Sequence, residues 1–267
     1  LLDDIPTIIS KFQEFAAGKH PVADHLGFVI SSAAIRNRIL VPKYYNPEIE
    51  AELTRLKATH DTVSFGDLHK QGVLTVETGI EIGKMAYVTG SIPFIRTSDI
   101  SNWEIKADFK HGVSADINEA HRTYVDAVPG DILMVRDGTY LIGTTAIVTE
   151  SDVRMLFQSH IYRIRVVKPD VIDRWLLLAC LNAPIVRRQI RAKQFTQDII
   201  DTLGKRLFEV VLPIPKDAAL RRRVAEETRR VIETRVQLRN RAREIALEVE
   251  GIEPTAAVSV DEEDAVE

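Results

Sequence analysis

The 267-residue chain has a single cysteine, Cys180, so no intrachain disulfide can form. That residue lies in the apolar run WLLLACL and reads as a small buried hydrophobe rather than a reactive thiol. No apolar run approaches the roughly 20 residues needed to cross a bilayer. The opening segment LLDDIPTIISKF lacks the basic-then-apolar order of a signal peptide, which leaves the cytoplasm as the default compartment and no membrane partner. The chain begins with Leu rather than Met, which fits a processed product, a trimmed chain or part of a longer polypeptide. GxGxxG and GxxxxGK[ST] are both missing, so neither dinucleotide nor P-loop binding is indicated. Seven histidines and one cysteine give no HExxH or CxxC spacing, so no metal site is expected. Ser159-His160 places a nucleophile type beside a base type, but neighbours on a strand point to opposite faces and cannot bond directly. No PD…(D/E)xK spacing stands out; Pro169-Asp170 has no convincing downstream partner.

An excess of positive charge is also missing. The formal net charge is −4, which does not mark a nucleic-acid binder. Its distribution is uneven, however. Gly251–Glu267 carries six acidic residues and no Lys or Arg, so residues 1–250 stand at +2. Arg187–Arg206 carries six Lys or Arg against two Asp. Hydrophobic residues make up 45% of the chain, enough for a substantial core in one large domain or a domain with an appendage.

Four segments carry most of the information. GDILMVRDGTYLIGTTAIVTE (130–150) reads as two short strands, Ile132–Val135 and Thr144–Val148. They frame the polar stretch Arg136-Asp137-Gly138-Thr139-Tyr140, and Gly130 and Gly143 allow positive φ at the two ends. An ordinary hairpin with a solvated turn has the same pattern, but a rigid frame around an Arg-bearing loop also suits a surface that reads another molecule. GSIPFIRTSDISNWEI (90–105) repeats the layout: apolar Pro93-Phe94-Ile95 leads into Arg96-Thr97-Ser98-Asp99, then Asn102 and Trp103. QSHIYRIRV (158–166) and RRQIRAKQFTQDIIDTLGKRLFEVVLPIP (187–215) follow.

In this order the four segments resemble the target-recognition domain of type I restriction-modification specificity subunits. They are equally similar to the DNA-recognition part of fused adenine-N6 DNA methyltransferases. The resemblance covers about Val63 to Pro215, and the frame glycines and LPIP are its more specific parts. It implies an α/β (α+β) fold, a mixed β-sheet recognition domain followed by a long coiled-coil-type helix, and a non-catalytic specificity component without a cofactor. An adenine-N6 methyltransferase needs a glycine-rich donor turn and an Asp/Asn-Pro-Pro-aromatic motif. Asn46-Pro47-Glu48 breaks the second pattern. The polar loops of such families set which DNA is read and vary for that reason, so no residue is assigned to a base by analogy.

Four regions are expected. Residues 1–60 form an N-terminal arm, with an amphipathic helix in IPTIISKFQEFA and a helix capped by Asn46 in NPEIEAELTRLKA. HLGFVISSAAI and RILVPKYY read as strands or connecting segments. Residues 61–215 form the recognition domain. VSFGDL, PFIRTSDI, DILMV, TTAIV and HIYRIRVV are its strand candidates, with helices over 173–182, 184–194 and 196–203, and RLFEVVLPIP as the closing strand. Residues 216–252 form the long helix. Val224, Val231, Leu238, Ile245 and Ile252 recur every seven residues along it, with Thr228, Arg235, Ala242 and Val249 as a weaker second seam. In specificity subunits such a helix is a spacer. No second recognition domain or second spacer helix is present here, which implies two-fold pairing or a fused partner. Residues 253–267 form an acidic tail of disordered composition.

The candidate DNA contacts are Arg96, Thr97, Ser98, Asn102, Trp103, Arg136, Thr139 and Tyr140 on the loops. Arg187, Arg188, Arg191 and Lys193 read as a phosphate-facing helix stripe, and Gln194, Thr196 and Gln197 as a polar loop around Phe195. Arg163 and Arg165 fit the outward face of a strand. Expected partners are duplex DNA, an adenine-N6 DNA methyltransferase subunit or domain, a restriction nuclease in some assemblies, and a second copy through the 216–252 helix. Two other readings stay open: the C-terminal recognition portion of a single-chain methyltransferase–restriction enzyme, and a coiled-coil interaction protein that binds no DNA.

Overall fold

A computed structural model of the chain describes residues 5–19, 28–87, 89–106, 108–138, 140–152, 154–197, 200–249 and 251. Thr139, Glu250, Ile252 and the acidic tail 253–267 lie outside the described residues, as does the side chain of Gln197.

The amphipathic spacing at the start gives helix α1 (Ile5–Ala16), with Ile8, Ile9, Phe12 and Phe15 all exposed. From 28 to 45 the described chain forms no strand; single 3-10 turns occur at Ser32–Ala34 and Pro42–Tyr45. Helix α2 (Pro47–Leu56) begins where expected, because the Asn46 side chain accepts the Glu48 amide at 2.9 Å and Pro47 occupies a position whose N–H has no intrahelical partner. The segment VSFGDL divides. Strand β1 (His60–Ser64) ends where Ser64 caps helix α3 (Phe65–Lys70), its hydroxyl accepting the Asp67 amide at 3.0 Å.

Strands β2 (Leu74–Thr78), β3 (Ile92–Ile95), β4 (Ile100–Ser101), β5 (Glu104–Ile105) and β6 (Gly112–Val113) follow, then helix α4 (Ala115–His121). Next come β7 (Ile132–Val135), β8 (Asp137–Gly138), β9 (Thr145–Ile147), β10 (Leu156–Phe157) and β11 (Ile161–Val166). Helix α5 (Arg174–Asn182) is capped by Asp173 and helix α6 (Pro184–Lys193) opens on proline, both as the sequence signals indicate.

Two expectations fail nearby. The described residues of 196–203 form no helix. They include strands β12 (Phe195–Gln197) and β13 (Ile200–Thr202), and β13 joins the main chain of β8 in register Asp201↔Gly138 and Thr202↔Asp137. Thr196, Ile200 and Thr202 are β-branched, and this long-range pairing wins over the local helical pattern. RLFEVVLPIP begins as a 3-10 helix (Gly204–Glu209), and only β14 (Val211–Pro215) is strand, antiparallel to β1. Helix α7 (Ala218–Val249) completes the described fold, its first turn capped by Asp217 through the Ala219 amide at 2.8 Å. The fold is thus the expected α/β type with a long C-terminal helix.

Its centre is the antiparallel sheet β2-β11-β7-β9. Strand side chains alternate between faces, and β7 is fully buried on both. Ile132 and Met134 enter one hydrophobic cluster with α3, α5, α6 and β14. Leu133 and Val135 enter a second with β3, β6 and β10. This two-sided burial explains why ILMV is a continuous apolar run rather than an alternating one. Gly130 and Gly143, at the two ends of the β7–β9 frame, adopt φ of +95° and +80°. Helix α7 lies along α5 and β14, burying Thr228 and Ile232 while Val231, Leu238 and Ile245 remain exposed.

Leu133→Ala is expected to destabilise the protein by about 2–5 kcal/mol in urea denaturation, since it opens a cavity in a side chain with no exposure. A loss below about 1 kcal/mol would mean that the second cluster does not fold cooperatively with the sheet.

Candidate nucleic-acid interface

The registers bring three of the four informative segments to one end of the sheets. β3 and β10 run parallel and finish level with each other, Ile95 opposite Phe157. Arg96 therefore leaves β3 where Gln158 leaves β10, and the Gln158 amide donates to the Ile95 carbonyl at 2.9 Å. Three residues later Ile161 pairs with Val135. Arg136 leaves β7 there, its amide donating to the His160 carbonyl at 2.8 Å. The turn 158–160 thus separates two Arg-bearing loops. The β12–β13 hairpin extends the same edge through β8.

The second loop is fixed by a buried carboxylate. Asp137, 7% exposed, is inside the fold rather than in a solvated turn. Its Oδ2 lies 2.9 Å from His160 Nδ1, its Oδ1 accepts the Thr202 hydroxyl, and Arg136 Nε is 3.4 Å from the same Oδ1. Ser159 and His160 do not bond to each other: the Ser159 hydroxyl donates to Glu81 at 3.1 Å.

The Arg136 guanidinium sits 5.9 Å from the centre of the Tyr162 ring. Burial, the largest effect, raises the Tyr162 phenol well above its ordinary range, so it stays a donor and holds the Gly204 carbonyl at 2.7 Å. These groups line an open groove of about 720 Å³ with Gly79, exposed Tyr124, exposed Lys205 and Phe208. Tyr140, just beyond β8, is 86% exposed.

The first loop has a similar construction. Asp99 is buried and its Oδ2 accepts the Arg96 amide at 2.9 Å, the turn-capping role its sequence position suggests. The Arg96 guanidinium lies 5.5 Å from the Tyr87 ring centre, and Tyr87 stacks on Phe94. Arg96 Nε is buried with no hydrogen-bond partner among the described residues. Thr97 is half-buried and Ser98 exposed. Asn102 and Trp103 turn away toward α7. The Asn102 carbonyl accepts from Arg235, and Trp103 packs on the first cluster while its carbonyl accepts the Ile147 amide at 3.0 Å.

The cations of α6 form no continuous stripe. Arg187 is half-buried and donates to the Gly143 carbonyl; burial, and then Arg191, lower its pKa. Arg188 is ion-paired with Glu52 of α2. Lys193 pairs with Glu209 at 3.2 Å and lies 4.5 Å from the Tyr44 ring centre. Arg191 is exposed. Gln194 is half-buried, and the exposed Thr196 donates its hydroxyl to Asp201 at 2.6 Å. Phe195 lies under the Arg206 guanidinium at 4.3 Å and near Tyr44. Arg163 also differs from its expected outward position: it is 6% exposed and bonds Glu77 and the Asp126 carbonyl, while Arg165 holds Asp126 and Asp131. Tyr124, Lys205 and Tyr162 were not singled out by the sequence. Lys205-Arg206 contribute to the positive run, but neither tyrosine carries a local signal.

No group of three or more His, Cys, Asp or Glu suited to a metal ion occurs among the described residues. No helix there is long and apolar enough to cross a membrane.

Neither a protein-family model nor a curated protein matches the chain. Solved structures do. The chain is similar to the type I restriction-modification system S subunit from M. genitalium, at 13% identity and TM-score 0.49, over 71% of this chain and 42% of that one. It is similar to the HsdS subunit from Thermoanaerobacter tengcongensis, at 17% identity and TM-score 0.43, over 73% of this chain and 45% of that one. It is also similar to the type IIG restriction endonuclease BpuSI, at 11% identity and TM-score 0.46, over 70% of this chain and 28% of that one. The chain spans less than half the length of each of these.

Asp137→Ala is expected to lower stability by about 1–3 kcal/mol, because it strands the buried Thr202 hydroxyl. Amide exchange at Gly138 and Thr202 should quicken more than exchange in β7. Equal protection in wild type and variant would show that the backbone pairing holds the loop without the carboxylate.

Proposed function

We propose that this chain is a sequence-specific DNA-recognition module of a restriction-modification system, non-catalytic itself, that positions an adenine-N6 DNA methyltransferase on duplex DNA. The observation that carries this reading is the convergence of the Arg96 loop, the 158–160 turn and the Arg136 loop at one end of a rigid two-core frame. Arginine forms bidentate pairs with guanine O6 and N7, and its discrimination depends on being held in one orientation. Arg136 is oriented by Asp137 and Tyr162, and Arg96 by Asp99 and Tyr87.

The interface is composed of Arg96, Ser98, Arg136, Tyr140 and Thr196, joined by Tyr124 and Lys205. Arg191 is the exposed α6 cation suited to a phosphate. Trp103, Arg187, Arg188 and Lys193 serve the fold. The division of the chain follows the same reading: an arm over 1–60, the recognition domain over 61–215 and the spacer helix over 216–252. A second copy pairs through the exposed Val231, Leu238 and Ile245, which gives a two-part DNA site. A single-chain enzyme carrying this module would satisfy the same geometry with an asymmetric site.

Arg136→Ala should fold normally, keep its non-specific affinity and lose about 1–3 kcal/mol of discrimination at one base pair. A randomised-site selection on wild type and variant, with a melting curve for each, measures this. An unchanged site preference, or a melting point several degrees lower, would remove Arg136 from the reading role. Pairing is tested separately. Leu238→Glu should shift a concentration-dependent dimer to monomer in sedimentation, and a wild type that is monomeric at every concentration would refute two-fold pairing.

A further inference from the structure

Helix α7 is in direct contact with the segment that follows the Arg96 loop. We infer that Arg235 and Arg239 are positioning residues, which hold the Arg96–Asp99 loop in its reading conformation from the long helix.

The path is continuous. Arg235 donates to the Asn102 carbonyl, and its guanidinium lies 3.7 Å from Glu104. Arg239 donates to the Ile105 carbonyl at 3.0 Å and lies 3.6 Å from Asp152, which is itself fixed by the Thr149 amide and hydroxyl at 2.9 and 2.6 Å. Between these two anchors runs the β4–β5 hairpin, Ile100 opposite Ile105 and Ser101 opposite Glu104. The residue after Ile105, Lys106, donates its amide to the Asp99 carbonyl at 2.8 Å. Asp99 in turn holds the Arg96 amide. Three hydrogen bonds thus run from Arg239 on the helix to the backbone of the candidate reading arginine.

The hairpin needs an external anchor. Asn102 and Trp103 occupy φ of +50° and +71°, the left-handed region, which is unfavourable for a bulky indole. Asn102 suits such a two-residue turn, but the conformation is unfavourable for Trp103 and persists where surrounding contacts over-determine it. Arg235 supplies such a contact at the Asn102 carbonyl, and the Trp103 ring and carbonyl supply two more. A helix that only spaced two modules would not need arginines spent on the turn. Arg239 is mostly buried, 17% exposed, so its role is internal to the fold rather than solvation of a charged face.

This inference rests on the reading of the Arg96 loop as a DNA contact, and the test separates the two. Randomised-duplex selection on the full chain is run for Arg96→Ala, Arg235→Ala, Arg239→Ala and Arg239→Lys. Arg96→Ala defines the base pairs that this loop reads. Arg235→Ala and Arg239→Ala should reduce discrimination by about tenfold at those base pairs and leave the Arg136-dependent position unchanged. Arg239→Lys, which keeps a donor for the Ile105 carbonyl, should restore part of it. Amide exchange of the free protein supplies a readout independent of DNA. The Lys106 and Arg96 amides should exchange about tenfold faster in the two alanine variants, with β7 unaffected. If Arg96→Ala leaves site preference unchanged, the loop is not a reader and the inference falls with that assignment, while the exchange data still decide the mechanical link. If Arg96→Ala changes the preference and the α7 variants do not, or if Lys106 protection is unaltered, the positioning role is wrong. An alanine variant that unfolds, seen by melting, is replaced by Arg235→Met or Arg239→Met, which keeps the aliphatic stem without the donor and for which the same position-restricted loss is required.

Discussion

A buried carboxylate ties together the parts of the chain that matter most. Asp137 accepts the Thr202 hydroxyl, lies within bonding distance of His160, and has Arg136 beside it. A buried carboxylate is costly unless its oxygens are met by partners, here the Thr202 hydroxyl, the His160 ring and the nearby Arg136 charge. Those neighbours come from β13, from the turn before β11 and from the end of β7. Satisfying one side chain therefore selects one arrangement of the loop, the hairpin and the turn together. Arg136 gains its fixed direction from this and from the Tyr162 ring beneath it. The local field is consequently set by the architecture, although the chain as a whole is acidic.

The long helix divides its surface between two tasks. Thr228 and Ile232 face the domain core, and Arg235 and Arg239 continue that face along the 100–105 hairpin. These four positions follow the i, i+3, i+4 spacing of a helix packed on its own domain. Val231, Leu238 and Ile245 follow the seven-residue spacing and are left exposed. The two stripes share one seven-residue repeat on different faces: Thr228 and Arg235, both of the second seam, lie on the side that meets the domain. A helix supported along half its surface by its own domain draws its stability from that packing.

The sequence was most legible where a local signal and a burial requirement agreed. The helices at Pro47, Arg174 and Pro184 start at their caps, and Gly130 and Gly143 take the positive φ that their frame demands. The apolar run at 132–135 announced a strand, and the structure buries it on both faces. Errors fell where a partner distant in sequence decides the outcome. Residues 196–203 carry a passable helical pattern, but β12 and β13 pair with each other and β13 pairs with Asp137 and Gly138. Ser64 ends a strand early because it caps α3, a competition that the run VSFGDL does not display. Within the candidate interface, Arg96 and Arg136 were visible because they follow apolar strands. The fates of Arg187, Arg188 and Lys193 were not, since their partners Gly143, Glu52 and Glu209 become neighbours only after folding. A basic helix whose cations are engaged by three different elements looks in sequence like a phosphate-facing stripe.

The two Arg-bearing loops share one construction, and it separates what must stay from what is free to change. In each, a buried aspartate lies within three residues of the arginine: Asp99 at 3% exposure and Asp137 at 7%. Each aspartate holds backbone or framework groups, and each arginine rests on a tyrosine ring, Tyr87 or Tyr162. The aspartates therefore set loop shape, while the arginine side chains are only partly exposed above their tyrosine rings. Substituting an arginine alters the donor pattern offered to a groove, at a cost near that of a partly exposed side chain. Substituting an aspartate removes the anchor and strands buried donors. Under the proposed DNA-recognition role, such a separation would let the bases that are read change without rebuilding the frame. The groove beside Arg136 is open, so that side chain is supported from below and unobstructed above.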